Sequence, residues 1–226
     1  MAVHYKAFDF ADGLIVYRRN LPHWRQTGCA YFVTFRLADS IPQRLLKQWD
    51  MVRNGWLKHH PQPWTEDEMQ EYNRMFTSKM EEYMHNGYGS CMLKDKRLSS
   101  LVEKALLHFN EVQYDIGDYV VMSNHVHVIM VPRKSFTVES VVGAWKGFTS
   151  KKINQETGRS GQLWSEGFYD HIVRHENELK RIARYIKDNP VKAGRLASSA
   201  IVGGNSDSWV CDLPRYKRQF YGRGRP

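Results

Sequence analysis

The chain has 226 residues and a formal net charge of +9, and its 42% apolar and 25% charged residues exclude a disordered or fibrous protein. Three cysteines lie far apart without a CxxC pair, which argues against a disulfide framework or a cysteine-rich zinc site. The sequence shows no leader segment and no apolar run of about 20 residues, so we expect a cytoplasmic protein without a membrane partner.

The positive charge makes a polyanion the first partner to consider, and nucleic acid is the most common one. The chain also holds 7 Trp, 12 Tyr and 10 Phe, whose faces can stack on unpaired bases. Many basic proteins bind no nucleic acid, so composition alone leaves this point open.

The first half of the chain predicts one strand followed by helices. Aromatic and β-branched residues predict the strand, while helical spacing of apolar residues and the capping box Thr65–Glu68 predict the helices. In chain order these elements are a strand at residues 29–37 and helices at residues 43–58, 65–83 and 99–109.

The second half predicts a hairpin, a helix, a further strand and a last helix. The corresponding residues are 114–122 and 126–131 for the hairpin, 138–154 for the helix, 163–174 for a strand with a glycine interruption, and 176–188 for the last helix. Asn189-Pro190 is expected to end that helix, because proline cannot donate to the helical ladder.

Strands separated by helices, with one hairpin near residue 124, indicate an α+β fold in which helices cover a central antiparallel sheet. We expect a single domain over residues 1–196, with residues 42–97 as a helical insertion. Residues 197–226 are rich in glycine and serine and then basic, and we expect a partly irregular tail.

His125 and His127 form the sharpest local feature of the sequence. Residues two apart on a strand project from the same face, so the two imidazoles can converge on one ligand while Val126 and Val128 face the core. Neutral imidazoles are good ligands for divalent metals. Two histidines on a solvated sheet face fit the pattern equally well. No second HxT or HxS motif, which a two-histidine phosphoesterase requires, is present.

The helix at residues 176–188 carries a polar column beside its apolar stripe. The stripe, at spacings i, i+3, i+4 and i+7, consists of Leu179, Ile182, Ala183 and Ile186. Arg181, Tyr185 and Asn189 are four residues apart and share the shoulder of the helix. Tyr185 is therefore placed to point into a cleft, although a surface tyrosine that packs over a loop fits the same pattern.

The histidine pair and Tyr185 are consistent with one reaction, phosphodiester transfer. A tyrosine hydroxyl has a pKa of about 10 and needs help to act as a nucleophile. A divalent cation bound by the histidines can polarise the scissile phosphate, and Asn189 can add an oxygen ligand if its helix packs against the strand. The acidic cluster of a two-metal nuclease is not visible, which favours one metal and a covalent intermediate.

Five segments follow a family pattern in the same order along the chain. They are residues 17–24 (YRRNLPHW), 31–37 (YFVTFRL), 121–127 (VMSNHVH), 163–174 (LWSEGFYDHIVR) and 185–194 (YIKDNPVKAG). Together they resemble the single-tyrosine transposases of the HUH superfamily, specifically the REP-associated branch. The HxH motif followed by YIxxNPVKAG is the specific part of the resemblance. Ser123 departs from the pattern, which usually has proline there.

The resemblance implies a ferredoxin- or RRM-like HUH fold and a metal-dependent transposase. It implies that His125, His127 and Asn189 bind Mg²⁺ or Mn²⁺, and that Tyr185 forms a 5′-phosphotyrosine link while releasing a 3′-OH. It further implies that the substrate is single-stranded DNA with hairpins formed by short palindromic repeats, and that the enzyme acts as a monomer.

A protein of this kind must hold the DNA backbone with cations. The candidates are Arg18, Arg19, Lys146, Lys151, Lys152, Arg181 and the basic tail, although solvated surface charges fit each position equally well. Trp164, Phe168 and Tyr169 are expected to serve in packing. His59, His60 and His85 are expected to face solvent.

Two alternatives to a tyrosine transposase stay open. A non-catalytic, domesticated nucleic-acid-binding module predicts salt-dependent binding without cleavage. A metal-dependent nuclease that activates water predicts cleavage that survives Tyr185→Phe and fails in His125→Ala.

Overall fold

A computed structural model describes residues 3–9, 12, 15–18, 22–61, 64–194 and 200–212. The strands are β1 (His4–Lys6), β2 (Ile15–Arg18), β3 (Pro22–Arg25), β4 (Tyr31–Arg36), β5 (Tyr114–Val121), β6 (His125–Pro132), β7 (Tyr169–Ile172), β8 (Ile201–Gly203) and β9 (Val210–Asp212). The helices are α1 (Gln43–His59), α2 (Glu66–Tyr72), α3 (Ser78–His85), α4 (Lys96–His108), α5 (Val138–Thr157) and α6 (Glu176–Lys192).

The central sheet has five strands in the order β7-β4-β6-β5-β8, and every neighbouring pair is antiparallel. Strands β2 and β3 form a separate antiparallel hairpin, and β1 pairs with β9 in parallel. This arrangement confirms the predicted α+β fold with a central antiparallel sheet. The predicted hairpin at residue 124 is the β5–β6 pair, in the middle of the sheet.

The two faces of the sheet are covered by different helices, and the period of two along β6 sorts its side chains between them. Val126, Val128 and Met130 pack with residues of α4 and α5 in the larger core cluster. Ile129 and Val131 pack with the apolar stripe of α6 in the second cluster. His125 and His127 have the same parity as Ile129, so they face α6.

The predicted helical insertion consists of α1, α2 and α3, with a π-helical stretch at Asn73–Thr77 between the last two. The capping box at Thr65 is present, with reciprocal bonds to Glu68. Trp56, Tyr72 and Phe76 form an aromatic cluster that belongs to neither core of the sheet. The insertion is therefore held together by its own packing.

Two predicted elements differ from the structure in ways that have a clear physical cause. The strand predicted at residues 163–174 is reduced to β7, because Gly167 takes a positive φ of 66° and bends the chain away after a single bridge between Trp164 and Leu37. The last helix does not end at Asp188 but runs through Pro190 to Lys192. Proline so near a helix end removes only one ladder bond, and the N–H of Ala193 still donates to the carbonyl of Asn189.

The tail after Ala197, predicted to be partly irregular, contains two short strands within its described residues 200–212. Strand β8 extends the sheet at the free edge of β5, and β9 pairs with β1. The buried carboxylate of Asp118 on β5 accepts hydrogen bonds from the backbone N–H and the hydroxyl of Ser206. Strands of three residues show almost no periodicity, so only their distant partners identify them.

The hairpin β2–β3 carries Arg25, which ties it to the rest of the fold. The guanidinium of Arg25 bonds to the carboxylate of Asp170 on β7 at 2.5 Å and to that of Glu139 on α5 at 2.6 Å. The side chains of Arg25 and Asp170 are buried, so this ion pair is held in a medium of low polarity.

None of the helices in the described ranges is long and apolar enough to span a membrane.

Candidate active site

The first two predicted site residues lie at the start of β6, in the middle of the sheet. The side chains of His125 and His127 are buried and face α6. Strand β4 places Thr34 directly opposite His127, and β5 places Val120 on the other side. Because neighbours flank β6 on both sides, the backbone of the two histidines is held by ladder hydrogen bonds.

Each imidazole is oriented by a hydrogen bond at its Nδ1 atom. The Nδ1 of His127 lies 2.7 Å from the hydroxyl oxygen of Thr34, and the Nδ1 of His125 lies 2.7 Å from the carboxamide oxygen of Asn124. A carboxamide oxygen can only accept, so His125 carries its proton on Nδ1. Its Nε2 is buried and has no hydrogen-bond partner among the described residues. The ring is therefore arranged with a free lone pair at Nε2.

Burial keeps both histidines neutral. Desolvation lowers the pKa of His125 to about 3, with the neighbouring ring of His85 adding to the effect. The pKa of His127 is lowered well below its usual value by burial and by the proximity of His125. A neutral imidazole has no proton to displace when it binds a metal ion.

Tyr185 projects from α6 toward the histidine pair. Its hydroxyl oxygen lies 3.4 Å from the Nε2 of His127, and its ring meets the rings of His127 and Phe32 edge to face. The ring is half-buried, as the shoulder position on the helix predicts. The ammonium of Lys192 lies 5.1 Å from the centre of the tyrosine ring.

The hydroxyl of Tyr185 is protonated in this environment. Burial raises its pKa, and the charge of Glu81 and a hydrogen bond to that carboxylate raise it further, while a contact with Asn189 acts in the opposite direction. Burial raises the pKa of Glu81 in turn, and its bond to Tyr185 partly offsets this. A nucleophilic role for Tyr185 thus requires a proton acceptor and a compensating positive charge.

Asn189 lies one helical turn after Tyr185 and is fully buried. Its carboxamide oxygen is 3.2 Å from the Nε2 of His85, and its nitrogen has no hydrogen-bond partner within the described ranges. The side chain also contacts His125. The structure therefore brings together all four residues that were predicted to carry the chemistry: His125, His127, Tyr185 and Asn189.

Two residues of α3 were not predicted to belong to the site. His85, expected to face solvent, is half-buried, and its ring centre lies 5.8 Å from that of His125. Glu81 contacts the hydroxyl of Tyr185. No local signal distinguishes either residue, because both lie on a charged helix about 100 residues before their contacts in the sequence. His59 is exposed as expected, and His60 stacks on Trp56.

The candidate DNA-binding cations have different surroundings. Lys146 donates to the carbonyls of Ser165 and Gly167, so its ammonium holds a loop of the fold. Lys151 and Lys152 are exposed on α5, and Arg181 is exposed on α6 with an ion pair to Glu178. Arg18 lies on β2, but its side chain, Arg19 and the basic residues after 212 lie outside the described part of the chain.

The predicted packing aromatics are part of the core. Trp164 is buried, with its indole N–H donating to Thr149, and Phe168 packs against the larger core cluster. Tyr169 packs on the α6 side of the sheet.

The donors at this site fit one divalent cation. Across the described ranges, no three His, Cys, Asp or Glu side chains are close enough to hold a metal ion by themselves. The set offered here is two imidazole Nε2 atoms and one carboxamide oxygen, which leaves coordination positions open for phosphate oxygens and water. The Nε2 of His125, which has no hydrogen-bond partner among the described residues, and the hydrogen bonds at both Nδ1 atoms are typical of imidazoles arranged to bind metal.

Comparison with known proteins identifies the segment that contains this site. Residues 90–189 match the family model described as "Transposase IS200 like". An uncharacterized protein of Haemophilus influenzae is 30% identical over 103 residues, which cover 35% of this chain and 56% of that relative. The chain thus matches little more than half the length of that relative.

A solved structure with a related arrangement is that of a REP-associated tyrosine transposase bound to a REP hairpin. It covers 79% of this chain and 73% of its own, with 18% identity and a TM-score of 0.44. The segment that matches the IS200-like transposase model, residues 90–189, includes both histidines, Tyr185 and Asn189.

Proposed function

We propose that this protein is a metal-dependent endonuclease and strand transferase for single-stranded DNA, with Tyr185 as its nucleophile. The proposal rests on one observation: the hydroxyl oxygen of Tyr185 lies 3.4 Å from the Nε2 of His127, which belongs to a buried and neutral histidine pair. The match of residues 90–189 to a transposase family model supports the same reaction class.

The covalent step is carried by the chain's own groups. The oxygen of Tyr185 attacks the scissile phosphorus, and its proton passes to the nearby carboxylate of Glu81, whose charge raises the pKa of the tyrosine hydroxyl. The bond from phosphorus to the 3′ oxygen breaks, and that oxygen takes a proton from solvent to become a 3′-OH. The remaining strand is left as a 5′-phosphotyrosine, which a second 3′-OH can attack to transfer the strand.

His125, His127 and Asn189 would hold the divalent cation, Mg²⁺ or Mn²⁺. When bound, the cation would polarise the phosphate and neutralise charge on the leaving oxygen. Thr34 and Asn124 keep the two imidazoles in the required orientation. Lys192, beside the ring of Tyr185, adds positive charge close to the nucleophile.

We propose hairpin-bearing DNA of the palindromic-repeat type as substrate, on the basis of the five segments that resemble the REP-associated branch. Lys151, Lys152 and Arg181 are exposed, and we propose that they help to hold its backbone. Arg18 and Arg19 complete the proposed set. The proposed active form is a cytoplasmic monomer.

The direct test is the formation of a protein–DNA adduct that survives denaturation. A hairpin oligonucleotide labelled at its 3′ end is incubated with the protein and Mn²⁺ and resolved on a denaturing gel. We expect a labelled protein band for the wild type and for Tyr88→Phe, an exposed tyrosine that serves as control. We expect no such band for Tyr185→Phe, because phenylalanine has no oxygen to attack.

The other outcomes of this assay separate the alternatives. An adduct in Tyr185→Phe would show that another residue is the nucleophile. If no adduct forms, and cleavage persists in Tyr185→Phe but is lost in His125→Ala, the nucleophile is an activated water molecule. Salt-sensitive binding that is indifferent to chelator, with no cleavage, would indicate a binding module.

A further inference from the structure

Helix α3 of the insertion and helix α6 present matching pairs of residues to each other. Glu81 and His85 are four residues apart on α3, and Tyr185 and Asn189 are four residues apart on α6, so each pair lies on one face of its helix. Glu81 contacts Tyr185, and His85 contacts Asn189. Two contacts in the same register indicate that α3 forms one wall of the site.

A third contact ties α3 to the turn that begins β6. The side-chain nitrogen of Asn124 donates to the backbone carbonyl of Met84 at 3.0 Å, while its oxygen receives the Nδ1 proton of His125. One carboxamide therefore connects the ring of His125 to the residue next to His85. This bond ties the position of His85 to the histidine pair, in addition to the insertion's own packing.

The side chain of Asn189 is fully buried, and the Nε2 of His85 is within hydrogen-bonding distance of its carboxamide oxygen. The nitrogen of the same carboxamide has no hydrogen-bond partner among the described residues. The bond at the oxygen therefore helps to decide which way the carboxamide plane faces, together with the contacts of Asn189 with His125 and Tyr185. A carboxamide oxygen has two lone pairs, so it can accept from His85 and still bind a cation.

We propose that His85 is a positioning residue of this active site, which directs the carboxamide oxygen of Asn189 toward the cation. The inference rests on the proposed function. Each candidate ligand then has one outer partner: Thr34 for His127, Asn124 for His125 and His85 for Asn189. His85 lies before the segment that matches the transposase family, so the helical insertion supplies a part of the site that the matched segment lacks.

The role of His85 is tested by metal affinity in the absence of DNA. Mn²⁺ is titrated into the full-length protein, and the free ion is followed by its electron paramagnetic resonance signal. We expect His85→Ala to weaken Mn²⁺ binding about 10- to 100-fold, the range for loss of an outer-sphere partner. His85→Gln, whose carboxamide can still donate, should recover most of the affinity. His59→Ala, an exposed histidine of the same insertion, should bind like the wild type.

The outcomes distinguish this inference from the proposed function. If the wild type binds Mn²⁺ and His127→Ala does not, but His85→Ala binds normally, the role of His85 is wrong and the metal site stands. If the wild type binds no Mn²⁺, the metal site and the role of His85 are both wrong.

Folding of each variant is checked by thermal unfolding. If His85→Ala does not fold, the Mn²⁺ affinity of His85→Gln decides. An affinity within a few-fold of the wild type supports hydrogen-bond donation from residue 85. A complete loss of Mn²⁺ binding in a folded His85→Gln protein overturns the proposed role.

Discussion

The sheet and the helical insertion contribute to the same site in different ways. His125 and His127 lie on a central strand with a hydrogen-bonded neighbour on each side, and α6 packs its apolar stripe onto that sheet. The insertion has its own aromatic cluster and reaches the site through a few polar contacts of α3. The proposed metal ligands and the nucleophile therefore lie on β6 and α6 of the sheet half. The residue that orients Asn189 and the residue that accepts the tyrosine proton lie on α3 of the insertion.

This difference suggests that the two regions fail differently when they are perturbed. Loss of packing in the sheet half should unfold the protein, because both cores share its strands. Loss of packing in the insertion should leave the histidine pair in place while Glu81 and His85 lose their positions. Three perturbations test this comparison.

The largest effect is expected from Arg25→Ala in the sheet half. The substitution leaves the buried carboxylate of Asp170 without its 2.5 Å partner, which for a buried pair costs about 3–5 kcal/mol. Urea unfolding should show this loss in a single transition. Arg97→Ala, whose partner Asp95 is at the surface, should lower stability far less than Arg25→Ala does. Equal effects of the two substitutions would contradict a structural role for the Arg25 network.

Phe76→Ala in the insertion should act locally. It removes a buried ring from the cluster with Trp56 and Tyr72, at a cost of about 3–5 kcal/mol to the packing of that layer. We expect faster amide hydrogen exchange in α1–α3 with unchanged protection of β4 and β6, and reduced adduct formation. Met75→Ala, an exposed neighbour, is the control. Unchanged adduct formation with a loosened insertion would show that α3 has no part in the site.

The smallest effect is expected from acid, through Glu178 at the start of α6. Burial alone would raise the pKa of Glu178, but bonds from His171 and from the backbone N–H of Arg174 outweigh it and lower the pKa to about 2. As pH falls, the carboxylate of Glu178 is protonated in the unfolded chain before it is protonated in the folded protein. Its contribution to stability is therefore complete above about pH 4.5 and is lost as pH falls toward 2. It amounts to about 2–3 kcal/mol at most.

Urea unfolding at a series of pH values measures this contribution. Glu178→Gln should flatten the decline in stability between about pH 4.5 and pH 2, since a carboxamide does not titrate there. Glu176→Gln, an exposed neighbour, should leave the decline unchanged. A wild-type slope retained in Glu178→Gln would assign the acid sensitivity to other carboxylates.

Much of the site could be predicted because its main residues follow local periodicities. Alternation along residues 125–131 predicts that both histidines share a face, and the stripe of α6 predicts Tyr185 on its shoulder. Thr65 and Glu68 form the predicted capping box. The hairpin β2–β3 escaped prediction because each of its strands has only four residues. The strands β8 and β9 escaped prediction because they have three residues each and their partners are distant in the sequence.

The sequence by itself determined the fold class, the strand with the histidine pair and the helix with Tyr185 and Asn189, since each depends on spacings within one element. Only the tertiary structure decided that α6 covers the histidine face of β6 and that α3 contacts residues of the same site. His85 meets Asn189 across 104 positions of sequence, and such a contact depends on how separate layers pack. Local propensity has no information on that packing, so the orientation of the site is a property of the assembled fold.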